Sequence, residues 1–267
     1  MTHPREEVRA RLQTDRPHSA RVWNYLLGGK DNYPVDSEAG EVILTTFPEF
    51  AAVARVQRRF LARAVRFLAG EAGVRQFLDI GTGLPTADNT HELAQRIAPE
   101  SRIVYVDNDP LVLVHAQALL TSSDEGACAY IDADVRDPER ILAEAAKTLD
   151  LSRPVALTML GIMGQISDAE RPAELVSSLL SGLPAGSYLA LSDGTNTNEA
   201  LNTAVGVYNG QSANTYHLRS PQEIASFFTG LELVEPGVVS TAAWRQDPEQ
   251  AAESTADVSV CGVAIKH

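Results

Sequence analysis

Cysteine is scarce in this chain, and the positions of the few cysteines exclude two common structural frameworks. The 267 residues include only two cysteines, Cys128 and Cys261, and both lie in apolar runs that are typical of buried strands. Two such residues provide neither a disulfide network nor a zinc cluster. The six histidines also lack the paired spacing of metal ligands. The sequence therefore predicts no metal site.

Positive charge and long apolar segments are scarce as well. The chain has 22 lysines and arginines against 35 aspartates and glutamates, which gives a formal net charge of -13. The negative electrostatic field of such a chain repels the phosphate backbone of DNA or RNA, so we expect no nucleic-acid partner. No apolar run approaches the ~18 residues of a membrane span, and the first twenty residues are too polar for a signal peptide. We therefore expect a cytoplasmic protein with no membrane partner.

Two common enzyme motifs are also absent. The chain has no Gly-x-Ser-x-Gly nucleophile elbow and no phosphate loop that ends in Gly-Lys-Ser or Gly-Lys-Thr. These absences argue against the hydrolase and kinase classes that depend on those motifs.

The apolar segments that are present alternate with signals for helices. Proline follows a capping residue at Asp109, Asp137 and Ser220, and each pair predicts the start of a helix. The alternation predicts an α/β fold, a doubly wound Rossmann-like domain with a seven-stranded, mostly parallel sheet. No helix separates the final two apolar runs, so we expect the last strand to be antiparallel. The seven apolar runs that predict the strands are FLDI, IVYVD, ACAYI, VALTML, SYLALS, LELVEPGVV and VSVCGVAI.

The N-terminal part of the chain lies outside a minimal domain of this kind. We divide the sequence into an N-terminal helical lid or extension, residues 1–70, and a cofactor-binding domain, residues 71–267, with an asparagine-rich insertion at 193–217. Residues 20–36 combine aromatic anchors with a polar Gly-Gly turn, a composition that suits a lid. A helix predicted over 50–69 has an arginine face, which includes Arg63 and is expected to be solvated.

The ends of three predicted strands indicate an adenosine site. The segment QFLDIGTGLPT, residues 76–86, places Gly81 and Gly83 directly after the first strand, and the next two strands end near Asp107 and Asp134. Glycines allow the backbone to turn tightly and approach a ligand. An acid after the second strand can bind both hydroxyls of a ribose. The alternative is an ordinary strand-to-helix turn with no ligand.

Departures from the dinucleotide fingerprint favour S-adenosylmethionine (SAM) over NAD. That fingerprint requires Gly-x-Gly-x-x-Gly or Ala, and here Thr86 occupies the last position. The Asp/Glu-x-Gly-x-Gly-x-Gly loop of SAM enzymes is matched at Asp79, Gly81 and Gly83, with Pro85 in place of the last glycine. The carboxylate of Asp79 suits the ammonium group of a methionine tail, whereas the same carboxylate would repel a pyrophosphate.

Several blocks together resemble one family. RVWNYLLGGKDNY, FLDIGTGLPT, VYVDNDP, DADVRDP and GLELVEPGVV, followed by Trp244 and Arg245, resemble a bacterial family of SAM-dependent methyltransferases long catalogued as a domain of unknown function. The similarity spans nearly the whole chain. It implies a class I methyltransferase fold with SAM at the carboxyl ends of the central strands.

The resemblance also implies roles for individual residues. By position, the first loop binds the methionine tail, Asp107 binds the ribose, and Asp134 with the Val135 backbone binds the adenine. The N-terminal block supplies lid residues. The candidate cofactor-binding residues are Asp79, Gly81, Thr82, Gly83, Asp107, Asn108, Asp134, Val135, Leu160 and Gly161, with Tyr25, Gly28, Gly29 and Asp31 from the lid.

Methyl transfer depends mainly on alignment of the acceptor, with a general base where the acceptor is a hydroxyl. Related sequences tend to carry a histidine near the position of Gly164, so this chain lacks that base, uses another acceptor, or has lost transfer chemistry. His217 in the insertion is a substitute candidate for the base. The candidate acceptor-binding residues are Met163, Gln165, Tyr208, Asn214, Tyr216 and Arg219.

Taken together, the sequence predicts a SAM-dependent methyltransferase that acts on a small polar molecule. The absent histidine at Gly164 motivates an alternative from another class, a non-catalytic protein that binds SAM or S-adenosylhomocysteine (SAH) as a sensor or accessory subunit. A weaker alternative is an NAD-dependent oxidoreductase. The sequence identifies neither the acceptor nor the oligomeric state.

Overall fold

The structure is a computed structural model that describes residues 13–119, 121–212, 214–246 and 257–267. The helices are α1 (Ser19–Leu26), α2 (Pro34–Thr46), α3 (Phe50–Arg66), α4 (Thr90–Ile97), α5 (Pro110–Leu119), α6 (Pro138–Ala145), α7 (Pro172–Ser181), α8 (Glu199–Asn209) and α9 (Pro221–Ser226). The strands are β1 (Gln76–Ile80), β2 (Arg102–Asp107), β3 (Ala127–Asp132), β4 (Ala156–Leu160), β5 (Tyr188–Gly194), β6 (Glu232–Leu233), β7 (Val239–Ser240) and β8 (Ser259–Ile265). Within these ranges, no helix combines the length and the apolar character that a bilayer crossing needs.

These strands form one sheet in the order β3-β2-β1-β4-β5-β8-β6, and β7 also pairs with β8. Strands β1 to β5 are parallel, and β8 is antiparallel to β5. Because β6 and β7 pair with successive parts of β8, they share one edge position, and the sheet has seven positions. The predicted mostly parallel sheet with an antiparallel last strand is confirmed. The run expected as one strand is divided because a turn closes from Gly237 to Val234.

The order of the strands determines where a ligand can bind. Strand β1 lies between β2 and β4, and the chain adds β2 and β3 on one side before it adds β4 and β5 on the other. The topological switch point therefore lies between β1 and β4. In open sheets of this type, ligands bind beyond the carboxyl ends of the strands at that point.

Helices cover both faces of the sheet, and the alternation along β1 shows how. Leu78 belongs to the core beneath α6, α7 and α9. The preceding residue, Phe77, points to the other face and packs in the core beneath α3 and α4. Successive strand residues point to opposite faces, so a strand that is buried on both sides is apolar throughout.

Helix α3 belongs to the core of the domain. Phe60 is fully buried and packs edge to face against Trp244, with ring centroids 5.5 Å apart. The prediction of a solvated arginine face is wrong at Arg63, which is buried and donates to the carbonyl oxygens of Trp244 and Thr241, both at 2.7 Å. The reason is that the turn at Thr241 to Trp244 covers this side of the helix.

The asparagine-rich insertion contains a helix of its own. Asp193 and Gly194 complete β5, and the side chain of Asn198 then accepts from the backbone N–H of Leu201 at 3.0 Å at the start of α8. Helix α8 packs against α2. The insertion and the N-terminal helices therefore meet above the carboxyl ends of the strands.

Candidate functional site

A cavity of about 620 Å³ lies at the carboxyl ends of the central strands. Its cofactor half is lined by residues 79–84, 106–108, 133–136, 160–162 and 165–167 at the strand ends. Its acceptor half is lined by α1, by α8, by residues 214–218, and by neighbouring side chains of α2, α3, β5 and β8. The predicted cofactor residues that line the cavity are Asp79, Gly81, Thr82, Gly83, Asp107, Asn108, Asp134, Val135, Leu160 and Gly161.

The loop after β1 is shaped by backbone that favours glycine. Gly81 and Gly83 have φ values of +70° and +67°, in the left-handed region that side chains disfavour. A Cβ atom on Gly81 would lie 2.6 Å from Cδ1 of Ile162. The loop therefore keeps its backbone open to the cavity, as a cradle for a ligand requires.

Asp79 is a buried carboxylate at the end of β1. Its oxygens accept from the hydroxyls of Thr90 at 2.6 Å and Thr158 at 2.7 Å. Burial raises its pKa, and these two hydrogen bonds oppose the increase. The side chain is thus fixed in orientation and lines the cavity, where a cationic group of a ligand would compensate its desolvation.

Asp107 connects the loops after β1 and β2. Its Oδ2 accepts from the backbone N–H of Gly83 and its Oδ1 from that of Asp109, both at 2.9 Å. Burial raises the pKa of Asp107 to about 6, and the two N–H groups oppose this shift. Each carboxylate oxygen has a second lone pair, so Asp107 can still accept hydrogen bonds from a ligand.

Asp134 lies at the other end of the cofactor half. One of its oxygens accepts from the Asn108 side chain and the other from the backbone N–H of Arg136, both at 2.9 Å. Arg136 forms an ion pair with Glu170 at 2.5 Å, and both residues line the cavity beside Val135. The sequence did not predict this ion pair.

Arg58 is a cavity residue that the sequence reasoning missed. It projects from α3 into the cofactor half, and its Nη2 donates to the carbonyl oxygens of Ala87 at 3.0 Å and Asp88 at 2.9 Å. Burial lowers its pKa, whereas the charge of Asp79 raises it. Because α3 carries several arginines, only its packing against the sheet identifies the one that reaches the cavity.

The space beside Gly164 is occupied by Tyr216. A Cβ atom on Gly164 would lie 2.3 Å from Cζ of the Tyr216 ring, so a histidine cannot fit here without moving that ring. The Tyr216 hydroxyl donates to Asp193, which also accepts from the Gly164 N–H at 2.7 Å. Burial raises the pKa of Asp193 to about 6, and burial with the Asp193 charge raises that of Tyr216 well above its ordinary value.

His18 is a second residue that the sequence reasoning missed. Its Nδ1 lies 3.0 Å from Oδ2 of Asp109, which is 1% exposed, although neither atom forms a hydrogen bond of regular geometry among the described residues. Its Nε2 lies 3.4 Å from the Asn214 amide nitrogen, and the ring lines the acceptor half. Burial lowers the pKa of His18, although Asp109 opposes the decrease. Burial therefore favours the neutral imidazole.

Four of the predicted acceptor residues and the candidate base line the cavity, namely Gln165, Tyr208, Asn214, Tyr216 and His217. The structure places the other two predicted acceptor residues, Met163 and Arg219, outside the cavity lining. Met163 is fully buried in the core, because the turn after β4 points it beneath the sheet end. Arg219 donates to the carbonyls of Met163 and Ile166 at 2.8 and 2.6 Å and pairs with Asp168, so it holds the loop together.

The lid residues also differ from the prediction, because α1 presents its opposite face to the cavity. Val22, Trp23 and Leu26 line the cavity. Tyr25 instead packs on Gly40 of α2 and hydrogen-bonds to Glu41. The other three lid candidates also lie outside the cavity lining. Gly28 has a φ of +81° in the turn after α1, and Gly29 packs against the Asn24 side chain. Oδ1 of Asp31 lies 3.9 Å from Nδ1 of His115.

A sheet with its switch point between β1 and β4, and with an acid at each of the first three strand ends, is a Rossmann-like fold of the kind expected for a class I SAM-dependent methyltransferase. Comparisons with known proteins agree. A profile of the S-adenosyl methyltransferase family matches residues 5–267. The chain therefore belongs to the S-adenosyl methyltransferase family, and its cofactor is SAM.

Solved structures show the same relationship. A DUF574 family protein from Streptomyces avermitilis MA-4680 is 45% identical over 96% of this chain and 100% of that chain, with a TM-score of 0.93. A protein from Thermobifida fusca YX is 39% identical over 96% and 97%, with a TM-score of 0.87. The N-methyltransferase NodS from Bradyrhizobium japonicum WM9, solved with SAH, shares the fold at 13% identity, 92% and 98% coverage and a TM-score of 0.50. The search of curated proteins found no match.

Proposed function

We propose that this enzyme methylates a small molecule bound in the acceptor half of the cavity. The supporting observation is that one continuous cavity joins the strand ends to a compartment between α1 and α8. A non-catalytic SAM-binding protein needs no such compartment beside the cofactor site. The bound cofactor would supply an electrophilic methyl group, and the protein would supply alignment of the acceptor.

The same proposal assigns the cofactor contacts. We infer that Asp107 accepts from the ribose hydroxyls and that Asp134, with the Val135 backbone, addresses the adenine. Asp79 and Arg58 lie at the loop that would hold the methionine tail, and their opposite charges match its ammonium and carboxylate groups. The glycine cradle after β1, which a Cβ at Gly81 would obstruct, fits a ligand that approaches the backbone closely.

His18 is the general base in this proposal. Its Nδ1 lies beside a buried carboxylate and the residue lines the cavity. Nε2, which lies 3.4 Å from the Asn214 amide nitrogen, would take a proton from a hydroxyl or amine that displaces this amide. The usual location of a histidine near Gly164 is filled by Tyr216. His217 remains the second candidate, since it also lines the cavity, but its Nε2 faces Thr215 at 3.1 Å rather than a carboxylate.

Two broader features complete the proposal. We propose that residues 1–70 act as an extension that closes over the domain formed by residues 71–267, with the insertion at 193–217 as the opposing wall. The packing of α1 and α8 around the same cavity supports this role. We also propose a cytoplasmic location, consistent with the free thiols of Cys128 and Cys261, since reducing compartments keep cysteines unpaired.

Calorimetry and a transfer assay test the proposed function. Titration with SAM, SAH and NAD should show binding of the first two only. Tritium from the labelled methyl group of SAM should then pass to one component of an extract of small metabolites. Asp107→Ala should weaken SAM binding and lower the transferred label at a SAM concentration near the wild-type Kd, and Asp124→Ala, an exposed acid outside the cavity, should change neither. SAM binding without a labelled product would favour the non-catalytic alternative.

With that labelled component as acceptor, His18→Gln tests the base. It should lower kcat by ~10²–10⁴ and leave SAM affinity unchanged, because the base acts only on the acceptor. Added imidazole should restore part of the rate. An unchanged kcat with weaker SAM binding would instead assign His18 a structural role.

A further inference from the structure

The walls of the acceptor half are mostly apolar. They belong to two small hydrophobic clusters that α1, α2, α3 and α8 form above the sheet. Trp23 and Phe50 meet edge to face in this wall, with ring centroids 5.8 Å apart. The apolar side chains that line this half are Val22, Trp23, Leu26, Leu27, Ile43, Phe50, Val53, Leu61, Leu201, Ala204, Val205, Leu218 and Val258.

Positive charge is missing from this half among the described residues. Of the arginines and lysines, only Arg58 and Arg136 line the cavity, and both belong to the cofactor half. Arg219, a predicted acceptor-binding residue, lies outside the cavity lining and pairs with Asp168. The charged side chain that does face the acceptor half is Asp193, a carboxylate. An anionic acceptor would therefore lose its hydration without gaining a cationic partner, which is costly.

Polar side chains interrupt these apolar walls, among them Asn24, Asn214, Thr215 and His217. Tyr208 lines the cavity, and its hydroxyl oxygen is buried beside Ser212, which lowers its pKa against the effect of burial but makes no hydrogen bond of regular geometry with it. Tyr208 is 8% exposed, so a ligand group or an ordered water that reaches the hydroxyl can complete its hydrogen bonding. His18 lies in the same half. A ligand therefore meets polar groups at a few points and apolar surface elsewhere.

We propose that the methyl acceptor is an uncharged, predominantly apolar molecule that contains a planar ring and carries a hydroxyl or amine. The aromatic walls accommodate the ring, Tyr208 and His18 contact the polar group, and Asp193 disfavours anions. The inference rests on the proposed function of this cavity. The proposal changes the expected class of methyl acceptor from a small polar molecule to a small amphipathic one.

Binding of simple probes to the full-length, SAH-loaded enzyme tests this inference without the natural acceptor. The probes are 2-naphthol, its anionic analogue 2-naphthoate, and the polyol myo-inositol, each titrated by calorimetry. We expect 2-naphthol to bind at least about tenfold more tightly than 2-naphthoate, because a tenfold ratio needs only about 1.4 kcal/mol and desolvation of an unpaired carboxylate costs more. No binding of myo-inositol is expected.

A matched pair of variants on α8 localises the probe. Val205 is half-buried and lines the cavity, whereas Val207 is 38% exposed and lies outside the cavity lining. Val205→Trp should fill the acceptor half and weaken 2-naphthol binding more than tenfold, with SAH affinity unchanged. Val207→Trp introduces the same side chain and should change neither affinity. Should Val205→Trp fail to fold, Tyr208→Phe should weaken binding of 2-naphthol but not of naphthalene.

Equal or tighter binding of 2-naphthoate or myo-inositol would overturn the proposed acceptor class. So would an SAH-loaded enzyme that does not bind 2-naphthol, or binding that Val205→Trp and Tyr208→Phe leave unchanged. Failure of SAH itself to bind is a separate outcome, measured first, and it would overturn the assignment of the cofactor half as well.

Discussion

Substitution of Gly164 by alanine tests whether Tyr216 occupies the place of a histidine. The backbone of Gly164 is not in the left-handed region, so the substitution is limited by space alone. The added Cβ would lie 2.3 Å from Cζ and 2.6 Å from both Cε atoms of the Tyr216 ring. An aromatic ring cannot yield to such a contact without leaving its position.

The structure offers two ways to relieve the contact, and they have similar costs. If the ring stays, the site is overpacked, which costs about 1–3 kcal/mol. If the ring moves, its hydroxyl loses the hydrogen bond to the Asp193 carboxylate, which is worth about 1.5–3 kcal/mol. The cheaper response determines the result, so Gly164→Ala should lower the free energy of unfolding by about 1–3 kcal/mol.

Urea denaturation of the wild-type protein, Gly164→Ala, Tyr216→Ala and the double variant measures the energetic coupling between positions 164 and 216. In the Tyr216→Ala background the space is empty, so Gly164→Ala should cost little, and the cycle should show a coupling of about 1–3 kcal/mol. Gly206→Ala is the control, because a Cβ there meets open space in the middle of α8 and should stabilise by about 0.5–1 kcal/mol. Additive effects of the two substitutions would refute the assigned contact.

Four further predictions concern the cofactor half. Asp107→Ala should weaken SAM binding by roughly 10- to 150-fold in calorimetry, since hydrogen bonds to a charged group are worth ~1.5–3 kcal/mol; unchanged affinity in a folded variant would reject the ribose assignment. Because the pKa of Asp107 is raised to about 6, SAM affinity should fall as the pH decreases through 6 and the carboxylate is protonated. In the unliganded protein, the contribution of Asp107 to the free energy of unfolding should instead increase as the pH decreases, because a raised pKa means that the fold favours the protonated carboxyl group. Gly81→Ala should lower the melting temperature more than Gly83→Ala, because both have positive φ but only Gly81 would clash with Ile162; equal losses would contradict the steric argument. Hydrogen exchange in α1 should slow when SAM is added, and unchanged exchange would make this helix purely structural.

Local patterns in the sequence were sufficient for the sheet and for the cofactor loop. Capping residues followed by proline at Asp109, Asp137 and Ser220 mark the true starts of α5, α6 and α9, because the cap satisfies N–H groups within the same turn. Asp107 and Asp134 reach one cavity because parallel strands place their carboxyl ends at one edge. Each of these features depends on residues that are close in sequence or on the rule for parallel strands.

The acceptor half depended on contacts between distant segments, which a single sequence does not encode locally. His18 meets Asp109 only because α1 folds over the loop after β2. Tyr216 fills the space beside Gly164 only because the segment after α8 returns to the turn after β4. Helix α1 has apolar residues on more than one side, so its packing against α2 decides that Trp23, and not Tyr25, faces the cavity. The strand-end residues that line the cavity thus followed from local sequence, whereas tertiary packing determined the acceptor half and its candidate base.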